Sequence, residues 1–273
     1  GTVTFTVQIG NAIAEDVSFS VTTADGTSIT MRNATDGTFD DDYTYNTESF
    51  TFLGTQDTDV IPGTHNFVVT ITNDDKLELD EVFNAFLSNL DAGGLNDRTQ
   101  RITLGTQAQA TILDDSDTTT ISFVDDDLFV NEEDGTVTFT VQIGNAIAED
   151  VSFSVTTADG TSITMRNATD GTLDDDYTFK TESFTFPGTQ NSEPDEAPGS
   201  QNFVVTITND DKLELDEVFN AFLSNLDAGG LNDRTARITL GTEAQATILD
   251  DSDTTTITFV DDDVEVNEED GTV

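Results

Sequence analysis

The chain has no cysteine and no tryptophan, one histidine, four prolines and only nine basic residues among 273. Without cysteine there are no disulfides, no thiolate zinc sites and no cysteine nucleophile. One histidine, His65, leaves room for a Ser-His catalytic pair in only one half of the chain. Nine Lys and Arg against 55 Asp and Glu give a net charge of −46. Phosphate binding needs basic residues in quantity, so nucleic acid is excluded as a partner. Docking on an anionic membrane surface is disfavoured for the same reason. No apolar run approaches the roughly 18 residues of a membrane helix, so direct membrane insertion is not expected. What remains is 35% hydrophobic residues and 19 Phe, enough to build cores despite the charge. The length suits two domains of about 100–200 residues.

The chain repeats itself. Residues 1–56 reappear as 135–190 with four differences, and residues 66–137 reappear as 202–273 with five. Two extra residues in the second copy fall in the variable segment between these blocks. Such a period is read before anything else, because it fixes the architecture. The boundaries expected are a first unit at 1–117, a second at 118–253, and the opening strand of a third at 254–273. The sequence starts and stops in the same Gly-Thr-Val triplet, seen again at Gly135 to Val137. We therefore expect a window on a longer tandem array, with the first unit's opening strand missing.

Alternation is the dominant period. Val3, Phe5, Val7 and Ile9 share a face, as do Val17, Phe19 and Val21. The same holds for Phe50 and Phe52, for Phe67, Val69 and Ile71, and for Phe83, Ala85 and Leu87. Ala108, Ala110 and Ile112 follow, then Ile121 and Phe123. Polar Thr, Ser, Asn and Gln stand between most of them, which marks half-buried strands. No segment of helical length carries a 3.6-residue apolar period. About seven strands per unit predict an all-β fold of tandem Greek-key sandwiches. No Gly/Pro/Ser-rich linker separates the units, so the junction should be short.

The acids cluster. They gather at Asp40, Asp41 and Asp42, between Asp74 and Glu81, at Asp114, Asp115 and Asp117, at Asp125 to Asp127, and at Glu132, Glu133 and Asp134. A merely solvated surface would scatter them over every exposed face. Two like charges ~4 Å apart cost about 4 kcal/mol at an effective dielectric of 20. A hard divalent cation with six to eight oxygen ligands relieves this, and Ca²⁺ fits better than Mg²⁺, which keeps its waters. No EF-hand loop is present.

A set of short motifs runs in order through the second unit. They are Glu-Glu-Asp-Gly-Thr-Val at 132–137, Val-Ser-Phe-Ser-Val-Thr-Thr-Ala-Asp-Gly-Thr at 151–161, Asp-Tyr at 176–177 and Phe-Pro-Gly at 186–188. Then come Val-Thr-Ile-Thr-Asn-Asp-Asp at 205–211, Glu-Leu-Asp-Glu-Val-Phe at 214–219, Leu-Ser-Asn at 223–225 and Ala-Thr-Ile-Leu-Asp-Asp at 246–251. In these motifs and their order the unit resembles the Calx-beta domain, and the resemblance implies an Ig-like seven-stranded sandwich with a Ca²⁺ cluster at one end. Carried over by position, the second unit's ligands are Glu132, Asp176, Asn209, Asp210, Glu214, Glu217, Asp250 and Asp251, with the Lys212 carbonyl. In the first unit they are Asp42, Asn73, Asp74, Glu78, Glu81, Asp114 and Asp115, with the Lys76 carbonyl. Glu268 is the corresponding first ligand of a third unit. Asn73 and Asn209 stand where the family motif has Asp, and Ser116 and Ser252 where a third Asp is usual. One to three ions per unit are expected.

Other features are plainer. His65, replaced by Gln201 in the second unit, reads as a solvated loop residue. Asn33 and Asn167 head N-glycosylation sequons, which matter only in a glycosylating pathway. The insertion around Met31 and Met165 reads either as a longer hairpin or as a contact between neighbours. The Asp125 to Asp127 run reads as an exposed turn or as added ligands. Paired carboxylates do acid/base work in glycosidases, but charge-dense loops without a tryptophan platform argue for a protein that is not an enzyme. The leading expectation is a Ca²⁺-stiffened, extracellular structural or adhesive rod. Its neighbours join head to tail, in one chain or as strand-exchanged subunits, with a cell-surface or matrix receptor as a further partner. A calcium-sensing module of a membrane protein and an adhesin head are the other readings.

Overall fold

The computed structural model describes all residues except 29–31, 36–41, 57–58, 115–116, 171–174, 190–196, 251–252, 262 and 271–273. The first unit contains β1 (Thr2–Gln8), β2 (Val17–Asp25), β3 (Arg32–Asn33), β4 (Thr47–Phe52), β5 (Thr64–Thr70), β6 (Glu81–Asp91) and β7 (Ala108–Ile112). The second contains β8 (Thr119–Phe123), β9 (Asp127–Asn131), β10 (Thr136–Ile143), β11 (Val151–Asp159) and β12 (Arg166–Asn167). It continues with β13 (Thr181–Phe186), β14 (Gln201–Thr206), β15 (Glu217–Asp227), β16 (Ile238–Leu240) and β17 (Ala244–Leu249). Every strand expected from alternation is present.

In the second unit one sheet runs β14-β10-β8-β16 and the other β13-β11-β15-β17-β9, with β12 beside β15. The opening and closing strands are each split between the two sheets, β8 with β9 and β16 with β17. Counted so, the unit has seven strands and the two-residue β12, an all-β sandwich as expected. Both split strands pair in parallel: Ile238–Leu240 on Thr119–Ile121, and Gln245–Leu249 on Asp127–Asn131. In the first unit β1 pairs with β5 alone, and β7 pairs with β6 alone. Residues 102–104, the counterparts of β16, form no strand, and among the described residues none pairs with them as β8 does with β16.

The alternation decides what goes inside. Val137, Phe139, Val141 and Ile143 of β10 face Phe203 and Val205 of β14 and the second sheet's Phe153, Val155 and Phe219 in one core. The first unit repeats this with Phe19, Val21, Phe67, Val69 and Phe83. Burying each such side chain contributes about 1.5–3 kcal/mol. Tyr177 stacks on Phe219 at 4.3 Å between ring centroids, and Tyr43 on Phe83 at 4.5 Å. Each buried tyrosine hydroxyl donates to an aspartate at 2.9 Å, Asp159 and Asp25 respectively, as a buried hydroxyl must.

His65 departs from expectation. It lies in β5, half-buried, with its ring 4.9 Å from Phe52 and 5.2 Å from Phe50 and its Nε2 2.9 Å from the Thr51 carbonyl. An imidazole is apolar enough on its faces to close a core edge. The segments Gly93–Arg101 and Gly229–Arg237 are 3₁₀ turns that strand alternation did not reveal. Each starts from a glycine with positive φ, +50° and +54°, a conformation glycine adopts without penalty.

Candidate metal centre

Local structure aims the acids at one end of each sandwich. In the second unit the interior face of β15 carries Phe219 and, two residues earlier, Glu217, only 4% exposed. Alternate residues share a face, so the strand that buries Phe219 also delivers Glu217 to the core's end. Asp176 precedes the stacked Tyr177. Its Oδ2 accepts from Thr169 N–H at 2.6 Å, and its own N–H donates to the Thr169 carbonyl at 3.0 Å. Glu132 sits in the 3₁₀ turn Glu132–Asp134, capped by Asn131 and closed by Gly135 at φ 70°. Its Oε1 accepts the Asp210 N–H at 3.0 Å. Glu214 N–H donates to Asp250 Oδ1 at 3.1 Å.

These residues meet. Carboxylate oxygens of Asp176, Glu214 and Glu217 lie within 4.8 Å of one another. They wall a cavity of about 10 Å³ together with Glu132, Thr208, Leu215, Ile248 and Asp250. That volume admits one water-sized sphere. Asn209, Asp210 and Lys212 do not line it. Asp210 instead positions Glu132 and the chain at Lys212, whose N–H donates to Asp210 Oδ1 at 2.7 Å. Lys212 and Glu214 form an ion pair. Asp251 lies outside the described residues. Thr208 is an oxygen donor that motif matching missed. Asp125, Asp126 and Asp127 are exposed and away from the cavity wall.

The first unit repeats the arrangement in a larger space. Asp42, Glu78 and Glu81 have carboxylate oxygens within 4.8 Å, in a cavity of about 160 Å³ that Asn73, Asp74, Asp114, Asp117 and Thr72 also line. Asp117, unassigned by resemblance, belongs to it. Lys76 is buried, its Nζ 3.7 Å from Glu78 Oε1, and it does not line the cavity. Asp115 lies outside the described residues. Glu268 is exposed in its own 3₁₀ turn, Glu268–Asp270.

The first site is also where the units meet. Leu77 N–H donates to the Ala146 carbonyl and its carbonyl accepts Ala148 N–H, both at 3.0 Å. Its side chain joins the second unit's core. Arg234 reaches Asp80 Oδ1 at 2.8 Å and donates to the Glu78 carbonyl at 3.3 Å, and Arg237 pairs with Asp114. Arg32, from the insertion, pairs with Glu149, so this segment does touch the neighbour. Burial pushes the Asp114 carboxyl above its ordinary value, against the pull of Arg237 and Arg234. Arg234 and Arg237 escaped the sequence reading because the 3₁₀ turn that carries them has no strand or helix period.

Glu217 is pushed up to about 7, first by burial, then by the hydrogen-bonded Asp176 carboxyl and the Asp176 and Glu214 charges, with Arg166 opposing. A raised folded-state value means that the ion-free protein gains stability below the ordinary value of 4.5 and loses it as pH rises through 7. Melting in chelator should therefore show a midpoint that falls between these values. Calcium affinity should rise over the same window, since the ligand must be deprotonated. A flat ion-free profile would contradict the geometry.

A pair of sandwiches with buried carboxylates converging at one end of each defines a class of tandem cation-binding β-modules. The chain belongs to the Calx-beta family, whose domain matches residues 1–116 and again 114–252. No curated protein sequence matches it significantly. Among solved structures it is similar to the apo-form Calx CBD1 domain, at 25% identity over 50% of this chain and all of that one, TM-score 0.38. It is also similar to CBD12 from CALX1.2, at 18% identity over 91% of this chain and 93% of that one, TM-score 0.35. The calcium binding domain CBD12 of CALX1.1 gives the same identity and coverage, TM-score 0.34. Calx-beta domains take Ca²⁺, and the donors present suit it. The cavity walls offer carboxylate and hydroxyl oxygens with no imidazole or thiolate, the hard ligands Ca²⁺ prefers.

Proposed function

We propose that the chain is a calcium-binding structural repeat segment of an extracellular or cell-surface protein. In this reading Ca²⁺ fixes β-sandwiches head to tail as a rod, with units at 1–117 and 118–253 and a third opening at 254. The ligands are Asp42, Asn73, Asp74, Glu78, Glu81 and Asp114 in the first unit. In the second they are Glu132, Asp176, Glu214, Glu217 and Asp250. One observation carries it: the first unit's acid cluster adjoins the residues that grip the second unit, Leu77 and Glu78 being adjacent. An ion there removes carboxylate repulsion and stiffens the joint together. Extracellular Ca²⁺ can fill sites of Kd about 10⁻⁴–10⁻³ M. Near-identical units suit a spacer, which needs length more than distinct surfaces. No catalytic role is assigned.

Glu217→Gln tests the assignment by sign. It removes a buried charge, so in chelator at pH 8 the variant should melt above the parent. In millimolar Ca²⁺ it should melt below the parent and give a weaker calorimetric heat. A variant that melts lower in both conditions would make Glu217 a structural residue and withdraw the ligand assignment. Small-angle scattering should show a stiffer particle with Ca²⁺ than with chelator. Equal profiles would remove the stiffening role.

A further inference from the structure

Each unit holds one arginine at the same register, and the two side chains go to different places. The strands β3 and β12 are only two residues long, and each runs parallel to the strand that carries a ligand glutamate. Arg32 stands opposite Glu81, and Arg166 opposite Glu217. In the second unit the placement is fixed by its surroundings. Ala168 is fully buried, and its N–H donates to the Val218 carbonyl at 2.8 Å. Gly160 lets this short strand approach, since a Cβ there would stand 1.8 Å from the Val218 carbonyl oxygen. One residue further on, Thr169 N–H donates to Asp176 Oδ2. The segment Arg166 to Thr169 therefore reaches two ligand carboxylates of the second site.

The guanidinium groups then diverge. Arg166 Nε lies 3.1 Å from Glu217 Oε1, with the arginine side chain 52% exposed and the glutamate side chain 5%. Arg32 pairs across the joint with Glu149 of the second unit. A cation with one side in water is thus tethered to a buried carboxylate that lines the second cavity. In the ion-free chain it offsets part of the cost of the Glu217 charge. An ion bound to Glu217 would meet a like charge within ion-pair distance, which is repulsive. The half-exposed arginine can turn into solvent instead, where it keeps its hydration.

We propose that Arg166 is a built-in competitor for Ca²⁺ at the second site: it holds Glu217 in the ion-free chain, is displaced on binding, and so sets that site's affinity. At the first site the joint draws the matching Arg32 to Glu149. Two units of nearly the same sequence thereby acquire different affinities, and the difference lies in one side chain rather than in the ligands. The inference rests on the calcium reading of the second site and adds the residue that tunes it.

Calorimetric titration of the full chain with Ca²⁺ tests it. A Glu81→Gln background weakens the first site and isolates the second, and Glu217→Gln does the reverse. In the first background Arg166→Gln should tighten Ca²⁺ about three- to tenfold, the scale of one charged pair with a buried partner. The gain should persist at high salt, which screens charges more than a few ångströms apart. Arg166→Lys keeps the charge and should bind as the parent does. In the second background Arg32→Gln should leave the first site's affinity unchanged. In chelator at pH 8 Arg166→Gln should melt below the parent, and in millimolar Ca²⁺ together with it. A lower melt in both conditions with unchanged affinity would make Arg166 a structural residue and overturn the proposal. Equal tightening by Arg32→Gln and Arg166→Gln would reduce the effect to net charge and overturn it as well. A parent that takes up no Ca²⁺ would fail the calcium reading and this inference together. A parent whose Ca²⁺ binding ignores Arg166→Gln would fail this inference alone.

Discussion

In millimolar Ca²⁺ the chain should melt more than about 10 °C above its midpoint in excess chelator, with Mg²⁺ giving a much smaller shift. A ligand at 100 times its Kd stabilises the folded state by about 2.7 kcal/mol, and at 1,000 times by about 4.1. For domains of this size each kcal/mol moves the midpoint by roughly 2–8 °C. Two units, each with at least one ion, reach the stated shift. The ion also acts on a cost already present. Glu217, Glu214 and Asp176 share a space in which the Glu217 carboxyl is held protonated to about 7 by burial and its neighbours. Monovalent salt screens exposed charges over a Debye length of about 8 Å at physiological strength, but it does little for a trio built around the buried Glu217. Mg²⁺ demands octahedral geometry and keeps its waters, which the second unit's cavity of about 10 Å³ does not accommodate. Equal shifts with Ca²⁺, Mg²⁺ and NaCl would reduce the acidic loops to a solvated surface.

The fold was legible because the strand period is two and the buried face is apolar. Val3, Phe5 and Val7, or Phe67 and Val69, alternate with polar residues so regularly that one register alone buries them. The grouping of acids at the candidate metal centre was legible in part. Asp176, Glu214 and Glu217 follow from their place beside the buried Tyr177 and Phe219, so a linear motif fixes them. Asp210 and Asn209 do not. They belong to the same acidic run but do not line the second cavity, whereas their counterparts Asn73 and Asp74 line the first although the same Lys N–H to Asp Oδ1 bond closes the turn in both units. Thr208 carries no charge to mark it, and Asp117, though part of a clustered acidic run, is not among the positions the family motif assigns as ligands. The joint was hidden for another reason. Residues 73–81 and 209–217 are letter-for-letter the same, so no local reading can bury one leucine and expose the other. His65 shows the same limit in small: a lone imidazole in a variable segment reads as solvated until two phenylalanines are placed against it.

That identity makes Leu77 and Leu213 an internal control, and the second large effect follows from it. Leu77→Ala should destabilise the chain by about 2–5 kcal/mol, the range for removing a buried leucine. Leu213→Ala should stay within about 0.5 kcal/mol, because that side chain is 57% exposed. The two variants change the same residue in the same nonapeptide, so strand propensity and unfolded-state effects cancel between them. What differs is the neighbour. Leu77 sits among Ile147, Ala146 and Ala148 with two backbone hydrogen bonds holding it there, and a methyl-lined void would open between the units. Urea unfolding followed by circular dichroism gives the comparison directly. Leu77 also precedes Glu78, so the truncation should weaken calcium binding in the first unit while leaving the second unit's heat unchanged. Equal effects at the two positions would mean that the sandwiches do not meet through this loop. A large effect at Leu77 alone would place the hinge of the pair, and the rigidity of any array built from it, in one hydrophobic side chain beside the candidate metal centre.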